Sequence, residues 1–84
     1  GGENADTLNE LSICCMENGE LDEAKEYLQK ALSYENENTK IISNLGVLEL
    51  KQGNESAAKK YFEIVLEIDP NDILAQQALK EIKQ

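Results

Sequence analysis

Histidine, arginine and tryptophan are absent from this chain of 84 residues, which contains a single proline and only two cysteines. Histidine is the side chain that most often serves as a general base or metal ligand near neutral pH. The sequence also contains no glycine-rich phosphate loop and no nucleophile with a base at a recognisable spacing. We therefore expect no enzymatic activity, no cofactor and no metal site.

Positive charge is scarce, since eight lysines stand against 17 acidic residues and the net charge is −9. Residues 1–38 hold ten of the acids and two of the lysines, so most of the excess lies in the first half. This charge would repel a phosphate backbone, and no arginine is available for a bidentate contact, so we expect no nucleic-acid binding. A basic protein surface is the charged partner that the composition favours.

Long apolar runs are missing as well, and none approaches the roughly 18 residues that a membrane helix requires. No signal segment opens the chain, and we expect no membrane partner. Cys14 and Cys15 are adjacent on a predicted helix, so their side chains diverge by roughly 100° and a bridge would distort the backbone. We interpret them as small apolar residues. Unpaired thiols fit a reducing compartment, so we predict a cytoplasmic location for the chain or for a larger protein that contains it.

An internal repeat is the main positive feature of the sequence. A shift of 34 residues brings identical residues together, among them Leu11 and Leu45, Gly19 and Gly53, Ala24 and Ala58, Lys25 and Lys59, Tyr27 and Tyr61, and Leu32 and Leu66. Chance rarely aligns so many residue types at one offset. Two equivalent units therefore follow one another, each too small to bury its apolar face alone.

Apolar residues spaced three and four apart predict helices throughout and no strand. The predicted helices cover residues 5–18, 21–34, 39–52, 55–68 and 72–83. We place Leu8, Leu11 and Cys15 on the inner face of the first helix. Asn38 and Asn54 are candidate N-terminal caps of the third and fourth helices.

Small residues are expected where paired helices cross, because they allow close approach of the two backbones. Gly46 should lie against Ala58, and Phe62 should fill the wedge beside this crossing. In the terminal helix, Ala75 and Leu79 should face the preceding pair of helices. A terminal helix with one apolar face and one polar face is typical of a cap.

Residues 5–72 resemble two tetratricopeptide repeats, and residues 73–84 resemble the solvating helix that follows such repeats. The second repeat is the closer match, through Asn44-Leu45-Gly46, Lys51-Gln52-Gly53, Ala58, Tyr61-Phe62 and Asp69-Pro70-Asn71. The first repeat departs in having Ser12 for the usual glycine and Asn36 for the usual proline. The resemblance implies an all-α fold, a right-handed α-α superhelix of two helical hairpins plus a solvating fifth helix.

The same resemblance implies one domain over residues 5–84, with repeats at 5–38 and 39–72 and a capping helix at 73–84. We interpret residues 1–4 as a tag remnant or a disordered N-terminus. The implied function is a non-catalytic scaffold or adaptor that binds a peptide or a partner helix in a concave groove.

The resemblance and the helical spacing together predict the residues that line this groove. They are Asn9, Ile13, Met16, Lys40, Asn44, Val47, Leu50, Lys51, Leu74 and Gln77, with Ser43 on the same face. One subclass of the family grips a terminal carboxylate with a clamp of five side chains. Only Asn44 matches that clamp here, so we do not expect the chaperone-tail function of the subclass.

The alternative function is self-assembly through an open N-terminal face. In the second repeat, Ile41 and Leu48 face the preceding hairpin, whereas Thr7 and Cys14 occupy the equivalent positions in the first repeat. Two copies could cover these faces against each other. We expect a monomer or a weak homo-oligomer.

Overall fold

The computed structural model describes residues 3–82, and every regular element in that range is an α-helix. The five helices are α1 (Ala5–Glu17), α2 (Leu21–Tyr34), α3 (Thr39–Lys51), α4 (Glu55–Ile68) and α5 (Ile73–Glu81). α1 packs chiefly against α2 and α3 against α4, while α2 also contacts α3 and α4 also contacts α5. The predicted all-α fold of two hairpins and a fifth helix is confirmed.

Short polar side chains begin three of the helices by accepting hydrogen bonds from free backbone N–H groups. Asn4 Oδ1 accepts from the backbone of Thr7, and Asn38 Oδ1 accepts from the backbone of Lys40, both at 2.9 Å. Asp72 caps α5 in the same way. Each cap satisfies a donor that the first turn of a helix leaves without an internal partner.

Glycines end α1 and α3 because the chain turns there through the left-handed region of φ. Gly19 has φ +81° and Gly53 has φ +83°, and a Cβ added at either would meet no atom within 4 Å. Backbone conformation rather than space therefore requires glycine at both positions. An equivalent backbone hydrogen bond of 2.8 Å closes the two turns, from Glu20 N to Cys15 O and from Asn54 N to Glu49 O.

Two apolar clusters form the core. The first joins the hairpin of α1 and α2 to α3, and its buried members are Ala5, Leu8, Met16, Ala24, Leu28, Ala31, Ile41, Leu45 and Leu48. The second joins α3, α4 and α5, and its buried members are Ile42, Ala58, Phe62, Val65, Ala75 and Ile82. Because α3 contributes to both clusters, it is the element that holds the stack together.

Gly46 gives space to an aromatic ring. A Cβ built on Gly46 would lie 2.7 Å from Phe62 Cζ and 2.8 Å from Phe62 Cε2, closer than carbon atoms can approach. The atoms nearest to such a Cβ all belong to the ring of Phe62, the residue predicted to fill the wedge beside this crossing. Phe62 is fully buried, so its ring tip has little room to move away.

The inner face of α1 matches the prediction in Leu8 and in Cys15, which packs against the first cluster, but not in Leu11. Leu8, Ser12 and Met16 are buried, whereas Leu11 is 41% exposed and Cys15 is half-buried. Leu45, the equivalent of Leu11, is fully buried in the first cluster because α2 lies against α3. No helix of residues 3–82 covers α1 on the corresponding side.

A buried carboxylate links the two hairpins. Glu49 of α3 is 3% exposed, and its Oε2 lies 3.3 Å from Lys25 Nζ of α2. Its Oε1 accepts a hydrogen bond of 2.9 Å from Asn54 Nδ2. Asn54 therefore supports Glu49 and makes no side-chain cap on α4, contrary to the prediction. Both oxygens have a partner, as a buried charge requires.

The two ends of the chain differ in part from the predictions. Of the predicted N-terminal remnant, Gly1 and Gly2 lie outside the described residues, but Glu3 Oε2 lies 2.9 Å from Lys30 Nζ. Asn4 caps α1, so both residues take part in the fold. The last two residues of the chain, 83 and 84, also lie outside the described range. None of the helices described has the length and apolar character needed to cross a membrane.

Candidate peptide-binding groove

Helices α1, α3 and α5 together form a depression with a volume of about 250 Å³. We call it the groove, and define it by its lining residues Asn9, Ile13, Thr39, Lys40, Ser43, Asn44, Asp72 and Leu74. α3 supplies four of them because its side between α1 and α5 faces the depression. The groove thus depends on the stacking of both hairpins and the terminal helix.

Two asparagine side chains join α1 to α3 in the groove. Asn44 Nδ2 donates a hydrogen bond of 2.7 Å to Asn9 Oδ1. This contact uses one donor of Asn44 and one acceptor of Asn9, so the Oδ1 of Asn44 and the Nδ2 of Asn9 retain hydrogen-bonding capacity. Those two groups match the N–H and the C=O of a peptide bond.

Two partly exposed apolar side chains line the groove together with the amide pair. Ile13 of α1 is 38% exposed, and Leu74 of α5 is 53% exposed. Ser43 on α3 also lines the groove, where it is almost completely buried and has a small side chain. Because exposed apolar side chains face one small depression, the groove can receive one apolar side chain of a ligand.

The groove carries one charge of each sign. Lys40 and Asp72 both line it, and the ion pairs found among residues 3–82 involve neither. Asp72 Oδ1 accepts the backbone N–H of Ala75 at 2.9 Å, so this carboxylate is held in place by its capping function. The groove therefore offers a fixed anion and an exposed lysine to a ligand.

The structure divides the predicted site residues into three sets. Asn9, Ile13, Lys40, Asn44 and Leu74 come together in the groove. Leu50, Lys51 and Gln77 are exposed outside it.

The remaining two predicted site residues belong to the core. Val47 is half-buried against the second cluster, and Met16 is 8% exposed within the first. Met16 follows Ser12 by one turn on the inner face of α1, which explains why its side chain is covered.

Thr39 and Asp72 line the groove but were not among the predicted site residues. Both stand where a helix begins, Thr39 as the first residue of α3 and Asp72 as the cap of α5. Asp72 follows the proline-containing turn Asp69-Pro70-Asn71, a pattern that indicates the start of a helix and not a ligand site. Residues that begin helices lie next to the groove because α3 and α5 start at the same edge of it.

Outside the groove, one set of side chains in residues 3–82 could hold a cation. Cys15, Glu20 and Glu23 each offer one ligand atom, and these atoms lie within 4.8 Å of one another. Cys15 lies in the last turn of α1, Glu20 directly precedes α2, and Glu23 lies in the first turn of α2. The turn at Gly19 brings the three together.

Comparison with known proteins agrees with the architecture. The family described as Tetratricopeptide repeat matches residues 15–82, a range that includes all of α2, α3, α4 and α5. No curated protein matches the chain significantly. Members of this family typically mediate protein–protein interactions and are in general non-catalytic. With a family match over more than half of its length, the chain belongs to the tetratricopeptide repeat family.

Proposed function

We propose that this protein binds an extended peptide segment of a protein partner in the groove. The observation that supports this function is the juxtaposition of the Asn9–Asn44 amide pair with the exposed side chains of Ile13 and Leu74. The amide pair can bond the backbone of a ligand in any sequence. The apolar side chains of Ile13 and Leu74 favour a ligand with an apolar residue next to the peptide bond that the amide pair contacts.

The size of the groove limits the affinity. A volume of about 250 Å³ accepts one side chain, below the usual range of roughly 300–1,000 Å³ for small-molecule sites. Most of a bound peptide would therefore lie on the surface, and ordering it costs conformational entropy. We expect weak, reversible binding that depends on one apolar anchor.

The negative net charge of the protein should affect how fast a ligand binds. A net charge of −9 attracts a basic partner and raises the rate of encounter. We propose a basic flanking segment on the peptide for this reason, with its attraction weakening as salt screens the charges.

The decisive experiment selects peptides from a random display library against the 84-residue chain and measures their affinity by calorimetry. Ile13→Ser and Leu74→Ser should each weaken binding, and Asn44→Ala should do so through the lost backbone contact. Ile64→Ser is the matched control, because Ile64 is 41% exposed on α4 and does not line the groove. Equal loss in Ile64→Ser, or no loss in the groove variants, would contradict the proposal.

Self-assembly is the second proposal, and the exposure of Leu11 on α1 is the observation that favours it. Charge opposes it, because each copy would bring a half with ten acidic residues and two lysines to the contact. Light scattering at increasing protein concentration distinguishes the two proposals. A constant monomer mass removes self-assembly.

A further inference from the structure

A second surface lies on the side of the first hairpin that no helix of residues 3–82 covers. We call it the end face, and define it by the exposed residues Thr7, Leu11 and Cys14 together with Cys15, Glu20 and Glu23 at its edge, where Cys15 is half-buried against the first cluster. Thr7, Leu11 and Cys14 are exposed on α1, at spacings of four and three residues that place them on one side of the helix. The end face shares no residue with the groove.

The internal repeat shows how such a surface is covered elsewhere in the same molecule. The residues 34 positions after Thr7, Leu11 and Cys14 are Ile41, Leu45 and Leu48, and all three are buried in the first cluster. α2 contacts α3 and supplies Ala24, Leu28 and Ala31 to that cluster. An amphipathic helix is therefore the element that this type of surface accepts.

The covering helix also brings a cation. Lys25 of α2 places its Nζ 3.3 Å from Glu49 Oε2, and Asn54 bonds the other oxygen of the same carboxylate. On the end face, the equivalents of Glu49 and Asn54 are Cys15 and Glu20. The repeat thus marks a position for a cation beside Cys15.

The end face offers negative charge at that position. The ligand atoms of Cys15, Glu20 and Glu23 lie within 4.8 Å of one another. The ion pairs among residues 3–82 are Lys25 with Glu49 and Lys30 with Glu3, so neither carboxylate of the end face is neutralised in that range. Two uncompensated carboxylates beside an exposed leucine favour a ligand that is both basic and apolar.

We infer that the end face docks an amphipathic helix of a protein partner, with an apolar side chain on Leu11 and a lysine against Glu20 and Glu23. The pairing of Lys25 with Glu49 is its internal template. A hydrated metal ion would use the carboxylates without Leu11, and a second copy of this chain would bring further negative charge. A basic amphipathic helix can contact both Leu11 and the carboxylates of Glu20 and Glu23.

The test uses two 16-residue helical peptides with the same leucine stripe, one with a lysine beside the stripe and one with glutamate in its place. Isotope-labelled protein is titrated with each peptide, and amide chemical shifts are followed by NMR. The lysine peptide should shift the signals of Leu11, Cys15 and Glu20 and leave those of Asn44 and Leu74 unchanged. The glutamate peptide should bind more weakly, by about 2- to 30-fold for the loss of exposed ion pairs.

Matched variants separate this contact from a general charge effect. Glu20→Gln with Glu23→Gln should weaken the lysine peptide by a similar factor, about 2- to 30-fold. Glu63→Gln with Glu67→Gln removes the same charge from exposed positions of α4 and should leave the affinity unchanged. Ile13→Ser, a variant of the groove, should also leave the affinity for the lysine peptide unchanged. The proposals for the groove and for the end face can therefore be tested independently.

Other results would overturn the inference. Equal affinity of the lysine and glutamate peptides, or equal weakening in the α4 control, would remove the proposed ion pair. Identical shifts with zinc chloride alone, together with a loss of peptide binding, would indicate a metal site. Shifts that grow with protein concentration in the absence of peptide would indicate self-association.

Discussion

At the scale of single residues, the two hairpins fill the equivalent space between their helices with different pairs of side chains. The second hairpin combines Gly46 with the large ring of Phe62, and an added Cβ would overlap that ring. At the equivalent positions the first hairpin has Ser12 with Leu28, and all four residues are buried. A larger residue on one helix thus accompanies a smaller one on its partner, as close packing requires.

We predict that this compensation can be measured as a coupling. Gly46→Ser should lower the free energy of unfolding by about 1–3 kcal/mol, because the added atoms meet the Phe62 ring. Phe62→Leu should make the serine better tolerated, so the double variant should lose about 0.5–3 kcal/mol less than the sum of the single losses. Urea denaturation of the unchanged protein, the two single variants and the double variant measures the four free energies of this double-mutant cycle. Simple additivity would contradict it.

The adjacent cysteines differ in environment and should differ in reactivity. Cys14 is exposed, whereas Cys15 is half-buried. Burial and the nearby carboxylates of Glu20 and Glu23 raise the pKa of the Cys15 thiol above its ordinary value. The thiolate is the reactive form, so less of it is present at Cys15 at a given pH.

We therefore predict that Cys14 is alkylated faster than Cys15 between pH 7 and 8. Mass spectrometry of digested protein measures the two rates separately. With Glu20→Gln and Glu23→Gln, labelling of Cys15 should accelerate while that of Cys14 stays nearly constant. Faster labelling of Cys15 in the unchanged protein would mean that α1 is rotated from the orientation described.

At the scale of elements, α5 serves the stack by covering α4. Ala75 is fully buried in the second cluster, and Leu79 is half-buried against it. Gln76 and Lys80 are exposed on the opposite side, which no element of residues 3–82 covers. We propose that this polar outer side makes α5 a cap, because the end of a repeat array must not present an apolar face.

We predict that substitution to glutamate at two neighbouring positions of α5 has very different effects on stability. Leu79→Glu should lower the free energy of unfolding by about 1–3 kcal/mol, because it places a charge against the second cluster. Lys80→Glu should change it by about 0.5 kcal/mol or less, as is usual for exposed positions. Chemical denaturation compares the two. Equal losses would argue against the capping function of α5.

At the scale of the whole molecule, the charge distribution opposes compactness. Residues 1–38 contain ten acids and two lysines, and the molecule measures 41 × 26 × 16 Å. At about 0.01 M salt the screening length of roughly 30 Å approaches the size of the molecule, so most of its charges interact. Repulsion among the acidic residues should therefore reduce stability at low ionic strength.

We predict that the melting temperature rises when sodium chloride increases from about 0.01 M to about 0.15 M, where screening acts within about 8 Å. Glu35→Gln with Glu37→Gln, at exposed positions, should raise the melting temperature at low salt and reduce its dependence on salt. Thermal unfolding followed by circular dichroism measures both effects. A melting temperature that falls with salt would show that favourable ion pairs outweigh the repulsion.

Much of the fold was predictable because it depends on local patterns. The number of helices, the glycines at Gly19 and Gly53 and the caps at Asn38 and Asp72 follow from side-chain chemistry over a few residues. The position of Leu11 did not follow from the same spacing. Leucine fits an inner or an outer face of a helix equally well, and the presence of a neighbouring helix decides which one it occupies.

The sequence alone determined the repeat, the all-α fold and the family, because a 34-residue period and helical spacing are properties of the chain itself. Only the tertiary structure decided that Glu49 pairs with Lys25 and that Asn9 bonds Asn44. These contacts join residues from different helices. Their partners depend on how far each helix is rotated about its axis, and packing across the whole stack sets that rotation.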